Sequence, residues 1–277
     1  MNTCKDYILL IKRIELGIAF VFISTTLLLI LGCPRFRQRH HIFSFNLALA
    51  DLVGVVIYVI FEVKRIRNQV GSPVITDVLI PAVYSSFLVS NISVLLVAVY
   101  RFITIKVDPF GVKNIITTTR CVLCCIGSWI FAGLLALLYK RTIHYHVIPF
   151  YTTTISLTTT SICYVFIYRS VAKVSSDGNS QLDERKKENQ RVLRTFLMIL
   201  GTTVFFSLYP MGLWLYLSRN LKSDLSPCYI LTEELVITTN WISNCIIYWW
   251  RLREFRDMIF VWTRRCNATV RVHAVVS

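Results

Sequence analysis

The chain alternates long apolar runs with short, mostly basic connections. Seven apolar segments stand out, at about 14–33, 42–63, 74–105, 119–140, 147–171, 192–218 and 229–250. Each has roughly 20 residues or more, enough for a helix to cross a hydrocarbon layer about 30 Å thick. The third and sixth are the longest, which predicts tilt or extension into water. The ten-residue alternating segments of a membrane β-barrel do not occur. The pattern predicts an all-α membrane protein built as a seven-transmembrane helix bundle. After the seventh segment, Leu252 to Trp262 alternates basic and apolar residues at helical spacing. This predicts a short amphipathic eighth helix lying on the inner membrane face.

The stretch from Tyr84 to Ile105 is the one the other segments are expected to serve. It carries Ser90 and Asn91 at mid-depth and Arg101 at its foot. Polar atoms inside a bilayer need inward partners. A cation there is tolerated when it snorkels to the interface or reaches into the bundle. Asp51 is a second buried polar group, a carboxylate at mid-membrane that must be paired, protonated or metal-bound.

Composition strengthens the membrane assignment: 55% of residues are hydrophobic and the mean hydropathy is +0.59. The net charge of +15 would suit nucleic acid, but the basic residues lie in short loops between apolar runs, where they orient membrane helices. Most of them fall on one side if the N-terminus is outside: near Arg35, Lys106, Arg120 and Arg191, and in the tail after Arg251. This predicts an extracellular N-terminus over 1–13, a membrane domain over 14–250 and a cytoplasmic helix and tail over 251–277. The first residues show no cleavage site after a short apolar core, so the first apolar segment is expected to start insertion itself. The longest inner loop, about 172–190, has helix-breaking Ser, Asp, Gly and Asn followed by a charged run. No inverted repeat of broken segments, as in secondary transporters, is present.

Most of the nine cysteines fall in apolar runs, where a thiol is usually a small core residue. Cys4 and Cys228 are expected outside the cell, where an isolated pair usually bridges, so they form a candidate disulfide. Cys266 closes the amphipathic helix and is a candidate palmitoylation site. Asn91-Ile-Ser93 fits a glycosylation pattern but lies mid-membrane, and Asn267-Ala-Thr269 lies inside, so neither is expected to be modified.

The motifs go further. Segment two holds Asn46-Leu-Ala-Leu-Ala-Asp51, segment three ends Ala98-Val-Tyr-Arg-Phe-Ile-Thr-Ile105, and segment four has Trp129. Segment five has Tyr164, segment six Pro210, and segment seven Asn244-Cys-Ile-Ile-Tyr248 followed by Arg251 and Phe255-Arg256. In this order and spacing the chain resembles the rhodopsin-like (class A) G-protein-coupled receptors, over roughly residues 14–266. It departs from them in several places. Tyr100 stands for the acid before Arg101, Leu208 for the tryptophan of segment six, Cys245 for the proline of segment seven and Ser156 for that of segment five. Thr76 stands where the disulfide cysteine of segment three belongs, and the outer loop Arg141 to His146 has no cysteine. These departures are most similar to the melanocortin, lysophospholipid and cannabinoid receptor group.

The resemblance implies three sites. A sodium pocket would be formed by Asp51, Ser90, Asn240 and Asn244; the alternative is a neutral Asp51 in a hydrogen-bond network. An activation switch would be formed by Arg101, Tyr100, Tyr164, Pro210 and Tyr248. With Tyr100 beside Arg101, and Gln190 where the distal acid belongs, both restraints on the cation are weakened. Raised basal activity or a degraded switch would follow. A ligand pocket would be lined by Val83, Tyr84, Phe87, Met211 and Trp214, under an acidic rim of Glu62, Asp77, Glu233 and Glu234. The rim would favour a cationic peptide or amine; a lipid is the rival ligand, and four solvated carboxylates are the plain alternative. Val83 occupies the place where amine receptors carry an aspartate.

The implied function is transduction of an extracellular ligand signal to a heterotrimeric G protein at the plasma membrane, with sodium as the one small allosteric ligand. A non-signalling relative, acting as decoy or heteromer partner, is the alternative. An enzyme is disfavoured because no nucleophile–base pair or metal cluster stands in the spans. A transporter or channel is disfavoured because Asp51 is essentially the single mid-depth charge.

Overall fold

The computed structural model describes residues 2–32, 41–66, 75–108, 115–139, 147–173, 194, 197–220 and 227–251. These residues are all helical or connecting. In chain order the helices are α1 (Asn2–Gly32), α2 (Ile42–Ile66), α3 (Ile80–Phe102), α4 (Thr118–Tyr139), α5 (Val147–Lys173), α6 (Tyr209–Asn220) and α7 (Pro227–Arg251). Among the described residues, five stretches are long and apolar enough to cross a membrane: Asp6–Gly32, Ile42–Ile66, Asp77–Val107, Thr118–Leu138 and Leu197–Leu217. The amphipathic stretch 252–262, the 174–190 part of the inner loop, Gln190 and Cys266 lie outside the described residues.

α3 packs against α2, α4 and α5, while α1 packs against α2 and α7. The central place expected for the Tyr84–Ile105 stretch is the observed one. Its buried residues include Ser86, Phe87, Ser90, Asn91, Ser93, Val94, Val97 and Ala98. Small side chains there let neighbouring helices approach closely.

α4 shows how an apolar helix sorts its faces when the surroundings are also apolar. Cys121, Cys125, Ser128, Ala132 and Ala136 are buried, whereas Leu123, Ile130, Phe131, Leu134, Leu137 and Leu138 are exposed. Small residues face protein and large ones face outward, because lipid solvates a leucine as well as a core does. The buried thiols Cys121, Cys125 and Cys245 form no disulfide and act as small core residues.

α5 and α7 are long enough to span but less apolar than α1 to α4. In α5 the surplus polarity is absorbed locally. The hydroxyls of Thr154, Thr158, Thr159 and Ser161 donate to the carbonyls four residues back, at 2.7–2.8 Å. A hydroxyl satisfied by its own helix costs little against lipid. Ser156, at the place where a proline was expected, donates to the Asn91 carbonyl at 3.1 Å and ties α5 to α3.

Two prolines explain two wide turns. Pro81 and Pro210 lack an N–H and crowd the preceding turn. π-helical turns, Ile75–Leu79 and Val204–Leu208, stand immediately before α3 and α6 and take up that mismatch. A third wide turn, Ile103–Val107, has no proline. There Thr104 Oγ1 donates to the carbonyls of Tyr100 and Arg101 at 3.0 and 3.1 Å, and the Asp108 N–H reaches back to the Ile103 carbonyl at 2.8 Å.

A buried amide fixes α2, α3 and α4 together. Asn46 Nδ2 donates to Ser93 Oγ at 2.7 Å, and Asn46 Oδ1 accepts from Trp129 Nε1 at 3.0 Å. Asn46→Leu strands the indole N–H of Trp129 and removes the donor to Ser93 Oγ, which keeps its own bond to the Val89 carbonyl at 2.7 Å. We expect thermal unfolding in detergent to show a loss of about 2–3 kcal/mol, as for stranded buried polar groups. A loss below about 0.5 kcal/mol would mean that the three helices do not depend on this amide.

Candidate functional site

The polar groups inside the helices form three levels. The outermost is a cavity of about 170 Å³ between α2, α3, α6 and α7. Of the residues expected to line a ligand pocket, Val83, Tyr84, Phe87, Met211 and Glu234 line this cavity. The side chain of Trp214 lies outside the described residues. Glu62 does not line the cavity but is buried beside it, 4% exposed. Glu233, expected on the rim, also lines it. So do Tyr58, Phe61 and Trp241, which the sequence reading missed.

The expected open acidic rim is corrected here, and so is its plain alternative of solvated carboxylates. Glu62 and Glu233 are buried, and Asp77 alone of the four is exposed. The reason is Lys12. α1 continues back to Asn2, so Lys12 is carried into the bundle and is fully buried. Its ammonium lies 2.5 Å from Glu234 Oε2 and 3.3 Å from Glu62 Oε1. It also stands 4.6 Å from the centre of the Tyr58 ring. Arg65 pairs with Glu62 from the other side at 3.2 Å. One turn deeper, Glu15 accepts from Thr239 at 2.7 Å and Thr238 at 3.0 Å on α7. A signal for this was present: a lysine and a glutamate three residues apart fall on one helical face. Leu9, Leu10 and Ile11 before them extend the apolar run N-terminally.

The Cys4–Cys228 bridge is likewise corrected. Cys228 is a free thiol in the first turn of α7; the side chain of Cys4 lies outside the described residues. The bridge was expected to tie the N-terminus to the last outer loop. Ion pairing from Lys12 makes the α1–α7 link instead, because the N-terminal residues are helical and deliver a cation to α7.

The middle level is built on Asp51, 1% exposed. Asn244 Nδ2 donates to Asp51 Oδ2 at 3.2 Å, and Ser90 of α3 lies against the same carboxylate. Asn240 is buried one turn above Asn244 on α7. Asp51 Oδ1, Asn240 Oδ1 and Asn244 Oδ1 are buried without a well-aligned hydrogen bond. Buried oxygens in that state fit a small hard cation or bridging water.

At the inner level Arg101 is half-buried and makes no ion pair among the described residues. Tyr100 packs edge-on against Phe43, ring centres 6.0 Å apart. Tyr164 is buried in the inner core with Val94, Val97 and Ile199. Pro210 is buried where α6 begins. The side chain of Tyr248 lies outside the described residues. An aromatic thus takes the place of the expected acid and points its bulk into packing.

These features define a multi-pass helical membrane protein with a small cavity above a buried carboxylate. Over residues 24–145 the chain matches the seven-transmembrane receptors of the rhodopsin family. That match runs from within α1 through α4 and includes Asp51, the cavity residues of α2 and α3, Arg101 and Trp129. No curated protein matches the chain.

Proposed function

We propose that the chain is a divergent rhodopsin-like receptor with seven spans, an amphipathic eighth helix and its N-terminus outside the cell. A small extracellular ligand enters the cavity between α2, α3, α6 and α7. α6 moves about Pro210 and its π-helical turn, and a heterotrimeric G protein docks around Arg101 and the basic inner face. Asp51, Ser90, Asn240 and Asn244 hold sodium or water and link cavity to switch. The 252–262 stretch lies on the inner face, where Cys266 is a candidate for palmitoylation.

The observation that carries this reading is vertical order. Within the family-matched residues, a cavity, a buried carboxylate and a half-buried arginine follow one another along α2 and α3. A transport pathway would need further charges at mid-depth. An enzyme would need a nucleophile with a positioned base.

Ligand-free G-protein activation in cells tests it, comparing the wild type, Arg101→Ala and Asp51→Ala at equal surface expression. With Tyr100 in place of an acid, the arginine lacks its neighbouring restraint. We therefore expect wild-type basal signalling above mock-transfected cells, lost on Arg101→Ala. Basal signalling at the mock level in all three would sink the raised-activity expectation and turn attention to the non-signalling alternative.

A further inference from the structure

The ligand class can be narrowed, granted that the cavity is the ligand site. Its volume of about 170 Å³ resembles engineered pockets of ~150 Å³ that take a benzene-sized molecule. Most of its lining is apolar or aromatic, with Tyr58, Phe87, Met211 and Trp241 among the contacts. Read from the carboxylates alone, the site would select a cation. Glu62 and Glu234, with the face of Tyr58, make the surroundings that bind an alkylammonium: two charge-assisted acceptors and an aromatic ring.

That place is taken. The Lys12 side chain is itself an alkylammonium, and it is fully buried at 2.5 Å from Glu234, 3.3 Å from Glu62 and 4.6 Å from the Tyr58 ring centre. Arg65 supplies the second positive charge at Glu62. The two carboxylates thus face two cations of the chain itself. A cationic ligand entering the cavity would meet the buried Lys12 ammonium behind Glu234, where like charges repel more strongly than in bulk water. We propose that Lys12 is a specificity-determining residue: an intramolecular ammonium that fills the acidic subsite, so that the cavity takes an uncharged, mainly apolar ligand of about ten heavy atoms.

Two probes of equal shape and opposite charge state test the inference: 3-phenylpropan-1-ol and 3-phenylpropylamine. Binding is measured as the thermal shift of the full chain in nanodiscs. The wild type is expected to bind the alcohol roughly tenfold or more tightly than the amine. Lys12→Met is expected to reverse the order, because the amine can then supply the missing ammonium and restore thermal stability that the alcohol does not. Lys12→Arg keeps a cation in place and is expected to keep the preference for the alcohol. Wild type binding the amine as tightly as the alcohol would overturn the inference. So would a preference unchanged in Lys12→Met. If Lys12→Met does not fold even with amine present, the wild-type and Lys12→Arg preferences decide the matter. Failure of both probes to bind any variant overturns this inference and would instead count against the cavity as the ligand site.

Discussion

Replacing Lys12 with methionine is expected to remove about 3–5 kcal/mol of stability, the range for stripping one partner from a buried ion pair. The magnitude follows from position. The lysine is fully buried, and Glu62 beside it is only 4% exposed, so Glu62 cannot simply turn to water. Arg65 keeps part of Glu62 satisfied, which leaves Glu234 as the more exposed to loss. A thermodynamic cycle checks this. Glu234→Gln alone should also be costly, and the double change Lys12→Met with Glu234→Gln should cost clearly less than the sum of the two. Additive costs would mean that the pair is not coupled in the folded protein. Helix propensity does not enter, since lysine and methionine are nearly equal in a helix interior.

Gly54→Ala is expected to cost about 1–3 kcal/mol, the range for forcing an extra methyl into a packed interior. A methyl built at Gly54 would stand 2.8 Å from Trp241 Cζ2 and 3.0 Å from Ser86 Oγ. The indole cannot yield easily. Trp241 is 1% exposed and packs edge-on against Tyr58, ring centres 5.7 Å apart. Either α2 and α7 separate or the ring shifts toward the cavity it lines. Thermal unfolding in nanodiscs gives the stability change, and probe binding gives the second readout, expected to weaken with the loss of cavity volume. Unchanged unfolding and unchanged binding together would mean that the helices relax around the methyl without strain. By contrast, a methyl at Gly17, Gly127 or Gly133 meets nothing within 4 Å, so alanine there is expected to be tolerated.

The first prediction sits on α1 and the second where α2 meets α7; α1 and α7 are the two helices for which the sequence reading was weakest. The apolar run was taken to start at 14, two residues after Lys12, because a lysine next to Arg13 looks like a flank. Nothing local distinguishes a flanking lysine from one that turns inward. The carboxylates that decide the matter lie on α2 and α7, 50 and more residues away in sequence. The acidic residues Glu62, Glu233 and Glu234 were noticed, but without Lys12 they could only be read as a rim open to solvent or to a cationic ligand.

Elsewhere the reading reached further. Asp51 was recognised as a charge at mid-membrane that needs partners, and Asn244 and Ser90 are the side chains found against it. Val83, Tyr84, Phe87 and Met211 were placed on the pocket wall by the family resemblance, and they line the cavity. Trp241 escaped notice because an indole in an apolar run reads as ordinary core. Its neighbour across the interface, Gly54, gives no signal until the two are seen in contact.

The sequence by itself determined the apolar segments and their order, the mid-membrane place of Asp51, Ser90 and Asn91, and the membrane class of the protein. Those properties depend on run length and on the cost of burying charge, and both can be read along one chain. Tertiary structure decided which polar groups satisfy one another: Lys12 with Glu234 and Glu62, Glu15 with Thr238 and Thr239, Asn46 with Trp129 and Ser93. Pairing across helices depends on helix rotation and close approach. Those follow from small residues meeting large ones between α2, α3 and α7, which no single segment specifies.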